Sequence, residues 1–291
     1  MNKKVVQPAK SALLAVLGPK NTYTDFAADK YLSAIGRKLK KKYLRSIAEV
    51  FTAVEKGRTG QGIVPLENII YGSIRETYDL LFSSNVHIAG KFRLAIEHVL
   101  AVLPGSGKSD IHEIASHEQA LQQCRAYLAR HYPNAKMEYC ASTMAALEKM
   151  VNTDDRGMAV IIPKQAAKDL PLKILAKNLQ GHEKNLTTFI AIKKGPCEKK
   201  MEQRGRKMET SIAFYFRKDS PGSLYTVFRE FADEGINLSY IESRPSADIP
   251  GNYVFYLNFT CTGPSNLEEK VIRKIKPMLA GLKILGVYGQ I

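Results

Sequence analysis

The chain is 291 residues long, 45% hydrophobic and 24% charged, values that suit folded domains with real cores and exclude wholesale disorder. Its formal charge of +15 raises nucleic-acid binding. The densest basic run, Arg37-Lys38-Leu39-Lys40-Lys41-Lys42-Tyr43-Leu44-Arg45, belongs to no nucleic-acid module and reads as a solvated face, so nucleic acid is not an expected partner.

Residues 12–17, Ala-Leu-Leu-Ala-Val-Leu, follow Lys3, Lys4 and Lys10, but no small-residue cleavage pattern comes after them, and they read as a buried first strand. No stretch approaches the ~20 apolar residues needed to span a bilayer, so no membrane partner is expected. Cys124, Cys140, Cys197 and Cys261 are widely spaced, which fits reduced thiols in the cytoplasm better than a disulfide frame or a zinc site.

From there, residues 11–193 alternate short apolar runs with amphipathic stretches, the pattern of an α/β domain around a mainly parallel sheet. Strands are predicted at 12–17, 62–65, 94–103, 111–116, 158–162 and 187–192, and helices at 22–35, 47–57, 73–83, 117–131, 142–152 and 163–169. Residues 194–207, charged, aperiodic and broken by Gly and Pro, read as a linker. Residues 208–291 then restart as a compact βαββαβ unit: strand 210–216, helix 221–233, strands 236–243 and 252–261, helix 266–280 and strand 282–288. Gly235 and Gly281 are placed to cap its two helices. Pro104-Gly-Ser-Gly-Lys-Ser109 ends like a phosphate-binding loop but has Val102 where that loop needs glycine, and reads as a surface turn.

Four segments put polar side chains at element ends. In Gly18-Pro19-Lys20-Asn21-Thr22-Tyr23-Thr24-Asp25, Thr22 and Asp25 form a helix-start signal, which leaves free N–H groups and a positive dipole end facing the turn. Such a turn is a ready site for a carboxylate or phosphate, although capping alone explains the same pair. Glu67-Asn68 follow a short strand that Pro65 is expected to end, and Ser73 with Glu76 reads as a capping box for the next helix. A carboxylate and an amide at that junction suit a ligand site and equally suit a solvated turn. Ser116 and Gln119 make a second capping box. In Asn185-Leu186-Thr187-Thr188-Phe189 a period of two puts Thr187 and Phe189 on one face and Thr188 on the other.

Together, and in this order, the segments resemble prephenate dehydratase carrying a C-terminal ACT regulatory domain, over about residues 12–288. The family's Gly-Pro-x-Gly-Thr-Phe-Ser is matched by Gly18–Thr24, and its Val-Pro-Ile-Glu-Asn-Ser-x-x-Gly by Val64–Gly72. Its Ser-His-Pro-Gln-Ala-Leu-x-Gln-Cys is matched by Ser116–Cys124 and its Asn-x-Thr-Arg-Phe by Asn185–Phe189. Ser220-Pro-Gly-Ser-Leu224 and Ile241-Glu-Ser-Arg-Pro245 look like the phenylalanine-binding motifs of the ACT domain.

The resemblance implies a two-lobed, periplasmic-binding-protein-like catalytic domain with prephenate in its cleft, followed by a ferredoxin-like ACT domain. It implies loss of CO₂ and water to give phenylpyruvate for phenylalanine biosynthesis, with no metal or organic cofactor. The family gives the threonine matching Thr187 an essential role; Thr187 is read as polarising the leaving hydroxyl, and a desolvated Glu67, beside Asn68, as the proton source. Asn21, Thr22, Thr24, Ser116, Gln119 and Phe189 are the implied substrate contacts. Gly222, Ser223 and Leu224 with Glu242, Ser243 and Arg244 are the implied L-phenylalanine site of a feedback-regulated homodimer or homotetramer, unless Arg244 only pairs with Glu242.

Three positions depart from the family at the site: Ile69 replaces a serine, Thr188 an arginine, and Gly181 an acidic residue, with Lys184, Lys193 or His182 available to compensate. Asn21 for glycine and Thr24 for serine are milder. The departures leave room for a variant of the same fold, an arogenate dehydratase or a non-aromatising prephenate decarboxylase, and for a catalytically silent amino-acid-sensing protein. Retention of Thr187 and of the ACT motifs argues against the decarboxylase.

Overall fold

A computed structural model describes residues 12–168, 170–180, 185–197, 208–218, 220–245, 253–260, 267–289 and 291. The first sheet grows around β1 (Leu13–Leu17), which pairs in parallel with β2 (Lys40–Leu44) and β3 (Gln61–Asn68). Alternation along β1 sends Leu14 and Val16 under α1 (Tyr23–Ala34) and Ala15 under α2 (Ile47–Glu55). Ser46 caps α2, its hydroxyl accepting from Glu49 N at 3.1 Å. A two-residue strand, β4 (Gly72–Ser73), pairs back onto β3 and leads into α3 (Arg75–Ser83). The sheet closes with β5 (Val86–Ala95) and with β11 (Leu186–Lys194), which lies antiparallel between β3 and β5.

The second sheet runs in the order β10-β6-β9-β7-β8. Its strands are β6 (His98–Val102), β7 (Glu113–His117), β8 (Lys136–Cys140), β9 (Met158–Pro163) and β10 (Lys173–Lys177). Helices α4 (Glu118–His131), α5 (Thr143–Thr153) and α6 (Lys164–Lys168) pack on it. The strand expected over 94–103 is thus two strands in two sheets, with the chain crossing between lobes at Ile96–Glu97. It crosses back between Lys177 and Leu186, and the two crossings are stitched together. Ile96 N donates to Asn185 O at 2.9 Å, His98 N to Gln180 Oε1 at 3.0 Å, and Gln180 Nε2 to Ile96 O at 2.9 Å. Two α/β lobes on a double crossing form the periplasmic-binding-protein-like arrangement expected.

The third unit is the expected ferredoxin-like βαββαβ. Strands β12 (Met208–Tyr215), β13 (Asn237–Pro245), β14 (Tyr253–Thr260) and β15 (Gly281–Gly289) form an antiparallel sheet in the order β13-β14-β12-β15. Helices α7 (Ser223–Asp233) and α8 (Leu267–Ile275) cover one face, burying Phe214, Phe231, Leu257 and Val271. The other face packs directly on the first lobe. Ala213, Val254, Tyr256 and Leu285 join Val50, Leu81, Ile88 and Ile190 in one continuous core. Among the described residues no helix is long and apolar enough to cross a membrane.

Several local expectations give way. Pro65 does not end its strand: β3 runs on to Asn68 through a bulge, with Phe189 opposite Pro65, Thr188 opposite Glu67 and Leu66 as the extra residue. A bulge is one of the few central positions where proline's missing N–H costs no ladder bond. The basic run is in part β2, an edge strand whose lysines discourage pairing with another chain. Gly235 does close α7 in the left-handed region (φ 65°), with Ile236 N bonded to Phe231 O at 2.8 Å. Gly281 caps nothing: it opens β15, where a Cβ would lie 2.2 Å from the Tyr215 ring.

Candidate active site

A cavity of about 580 Å³ opens between the two lobes. The N-terminal turns of α1, α3, α4 and α5 all border it, so four positive dipole ends face one space. Arg45 and His117 also line it, and none of the described lining residues is Asp or Glu. Leu17, Pro65, Ile96 and Phe189 supply an apolar wall. The result is a neutral-to-positive hollow with one greasy side, suited to a small ring compound bearing carboxylates.

At its floor lie Asn68 and Thr187, neighbours on the paired strands β3 and β11. Asn68 is 5% exposed, and its orientation follows from its partners: Oδ1 accepts from Ile70 N at 3.0 Å and Tyr71 N at 3.2 Å, so Nδ2 must point the other way. Nδ2 donates to Asn185 Oδ1 at 2.8 Å and to Thr187 Oγ1 at 2.9 Å. With its oxygen already accepting, the Thr187 hydroxyl has its own proton free, and among the described residues that proton has no protein acceptor.

The polar chain continues across the lobes. Asn185 Nδ2 donates to Gln123 Oε1 at 3.3 Å, and the same oxygen lies 2.8 Å from His98 Nε2. Since Gln123 Oε1 can only accept, His98 carries its proton on Nε2 and leaves Nδ1 as an acceptor. Tyr23 Oη stands 3.4 Å from that nitrogen and donates to Glu97 O at 2.6 Å. Burial holds the His98 ring neutral by lowering its pKa to about 4, opposed by the Gln123 bond. Burial likewise keeps the Tyr23 phenol protonated.

The expected contacts divide. Thr22, Thr24, Asn68, Gln119, Thr187 and Phe189 line the cavity together. Asn21 does not: it holds a left-handed turn (φ 66°) that suits the glycine it replaces, and its N–H is tied to Asp25 Oδ2 at 2.8 Å. Ser116 is fully buried within β7 and donates to Ile161 O at 2.6 Å; His117, not Ser116, caps α4. Ser73 caps nothing either, being part of β4.

Glu67 needs the largest correction. Alternation beyond the bulge at Leu66 puts it on the face of the sheet opposite Asn68, where it is half-buried and accepts from Thr188 Oγ1 at 3.0 Å. It lies outside the cavity lining and is not placed to protonate a substrate there. The same geometry answers one departure: Thr188 faces away from the cavity, so a threonine there removes nothing from its wall. Ile69 is 64% exposed, Lys193 lies outside the lining, and Gly181, His182 and Lys184 lie outside the described residues.

Tyr23, His98, Gln123, Ser142 and Asn185 belong to the site or its support without having been singled out. His98 carried a signal, a polar residue opening an otherwise apolar run, and Ser142 carried the helix-start signal used elsewhere.

In the third unit the six expected effector residues also split. Gly222 (φ 87°), Ser223 and Leu224 start α7, and Ser243 lies on the exposed side of edge strand β13. Glu242 and Arg244 alternate to the other side, against the first lobe. Arg244 pairs with Asp79 at 3.0 Å, not with Glu242.

A model of the prephenate dehydratase family matches residues 14–197, and one of the ACT domain matches residues 211–277. The chain belongs to the prephenate dehydratase family. It is 36% identical to a curated prephenate dehydratase of Methanocaldococcus jannaschii, covering 93% of this chain and 95% of that one. Among solved structures it resembles the prephenate dehydratase of Arthrobacter aurescens in complex with L-Phe, with a TM-score of 0.82 at 26% identity over 96% of this chain and 90% of that one. It also resembles that of Staphylococcus aureus, with a TM-score of 0.79 at 27% identity over 95% and 99%. Thr187, the expected catalytic threonine, falls within the matched range and lines the cavity.

Proposed function

We propose that the interlobe cavity converts prephenate to phenylpyruvate, CO₂ and water, a carbon–oxygen lyase reaction of phenylalanine biosynthesis, with Thr187 at the leaving hydroxyl. The observation that carries this reading is the Asn68–Thr187 pair: the amide donates to the oxygen of a cavity-lining threonine, which leaves the hydroxyl proton available to a bound ligand. The helix N-termini and Arg45 hold the two carboxylates, and Phe189 and Pro65 flank the ring. As the ring carboxylate leaves as CO₂, its electron pair moves through the diene and expels the hydroxyl at the far carbon. Thr187 donates a hydrogen bond to that departing oxygen; an alcohol is too weak an acid to surrender its proton outright, so the oxygen completes its protonation from water. Thr22, Thr24 and Gln119 complete the contacts.

Arogenate, which carries an ammonium group, fits less well, because no described lining residue offers it a carboxylate. The reading assigns residues 11–193 to catalysis, 194–207 to a linker and 208–291 to regulation in a cytoplasmic homodimer or homotetramer. L-phenylalanine acts as feedback inhibitor at the outer edge formed by Gly222, Ser223, Leu224 and Ser243, next to Ile241 and Tyr253, which are 50% and 47% exposed.

The test is incubation with prephenate while following its loss and the alkaline absorbance of phenylpyruvate. Equal loss and gain supports the reading. Loss without phenylpyruvate assigns a non-aromatising decarboxylase, and binding without turnover assigns a sensor. Millimolar L-phenylalanine is expected to slow turnover and raise the sedimentation coefficient; if neither changes, the regulatory part fails.

A further inference from the structure

The cavity wall contributed by α3 is not held by the catalytic lobes alone. Gly72, Ser73 and Ile74 line the cavity, and Ile74, at the N-cap of α3, has no side-chain cap. The first lobe anchors this stretch through Ile74 N to Leu66 O at 2.8 Å and through the short β4 ladder. The first turn of α3 is also tied to the first lobe, Thr77 Oγ1 donating to Pro65 O at 2.7 Å and Glu76 accepting from Ala48 N at 3.3 Å, and further anchors come from the third unit. Ser73 Oγ lies 2.8 Å from Tyr240 Oη, and both hydroxyls donate to Oε2 of Glu242. Arg244 donates to Arg75 O at 2.6 Å and to Asp79 at 3.0 Å, gripping the first turns of α3. The Tyr240 ring stacks on Tyr78 of the same helix, with centroids 5.6 Å apart and planes 7° apart. At the opposite end Lys283 donates to Leu81 O at 2.6 Å and Phe82 O at 3.2 Å, satisfying carbonyls the helix leaves unpaired.

We infer that Tyr240, Glu242 and Arg244 of the third unit are positioning residues for the catalytic cavity, setting where Ser73 and the start of α3 stand in its wall. The three sit on β13, at alternate positions of a strand whose other side is exposed. A shift of β13 therefore moves a cavity-lining residue with no intervening element: Glu242 touches Ser73, and Ser73 touches the cavity. Ordinary domain packing would not need a half-buried carboxylate on a hydroxyl of the active-site wall, because the apolar core beside it already joins the units. The kinetic arm of the test rests on the dehydratase reading; the exchange arm does not.

The experiment compares the full chain with Tyr240→Phe, Glu242→Gln, Glu242→Ala and, as a control, Lys274→Met. Lys274 bridges Glu230 and Glu234 in the same unit but lies away from the joint. Tyr240→Phe keeps the ring stack and removes one hydroxyl, so it tests the joint even if the Glu242 variants fold poorly. Loss of one or two wall-positioning hydrogen bonds is expected to raise the KM for prephenate about three- to tenfold with kcat within about twofold, Glu242→Gln recovering part of the Glu242→Ala effect. Amide exchange over residues 72–78 is expected to quicken by about threefold or more in the joint variants and to stay unchanged in Lys274→Met. Unchanged exchange over 72–78 in Tyr240→Phe and Glu242→Ala overturns the inference, as does an equal effect of Lys274→Met. A wild-type chain that ignores prephenate sinks the dehydratase reading alone, and the exchange result then decides this one.

Discussion

The two faces of the β3–β11 pair do different work with nearly the same residues. On one face Asn68 meets Thr187 at 2.9 Å and looks into the cavity; on the other Glu67 meets Thr188 at 3.0 Å and looks toward the third unit. An amide and a carboxylate, each beside a threonine, are adjacent in the chain and separated only by the pleat. The cavity face leaves the Thr187 hydroxyl proton without a protein acceptor among the described residues, open to a ligand. On the opposite face Glu67 and Thr188 satisfy one another. Substitutions on the first should cost rate, and on the second stability.

The largest effect is expected behind the sheet. Lys91 of β5 and Glu209 of β12 join the units at 2.8 Å, with side chains only 10% and 11% exposed. Glu209→Ala strands the ammonium in the shared interface and should cost on the order of 3–5 kcal/mol of unfolding free energy by urea titration. Turnover of the molecules still folded should be nearly unchanged; a large drop in kcat with stability intact would reverse the comparison. Thr187→Val, on the cavity face, should do the opposite. It keeps the shape and removes the donor, so kcat should fall about 10²- to 10³-fold with the denaturation midpoint nearly unmoved. Full activity in that variant would take the threonine out of the mechanism.

His98 sharpens the cavity side through pH. Its folded pKa is lowered from 6.5 to about 4, so between those values the unfolded chain binds the proton and the folded chain does not. The stability this contributes is complete above pH 6.5 and is lost as pH falls toward about 4, on the order of 3 kcal/mol in all for a ring that is 3% exposed. Denaturation curves at a series of pH values should show that slope in the wild type and a flatter one in His98→Asn. Equal slopes would mean that another group carries the acid sensitivity.

Much of this was legible from periodicity alone. The order of helices and strands, the ferredoxin-like tail and the shared face of Thr187 and Phe189 follow from spacing that packing then respects. What escaped was decided by partners distant in sequence. Strands β2, β8 and β10 are short and polar and sit at or near sheet edges, where one exposed face erases the apolar signal. Ser73 and Ser116 satisfied a capping pattern but found better acceptors, Glu242 from 169 residues away and Ile161 O from 45. Glu67 was misplaced because Pro65 was expected to end the strand and leave Glu67 and Asn68 together in a turn; the strand instead runs on through a bulge, and alternation then puts only Asn68 on the cavity face.

Glu67→Gln is the mildest change and the most exacting for the comparison. The glutamine Oε1 can still accept from Thr188, so the hydrogen bond survives and stability should move by less than about 1 kcal/mol. No cavity group bonds the carboxylate, so kcat should stay within about twofold and the pH profile of kcat should keep its shape, a readout that a proton donor could not leave untouched. A loss near that of Thr187→Val, or a vanished acid limb, would instead mean that the carboxylate swings around the bulge during turnover. The two faces would then form one catalytic surface, and the separation of rate from stability across this strand pair would no longer hold.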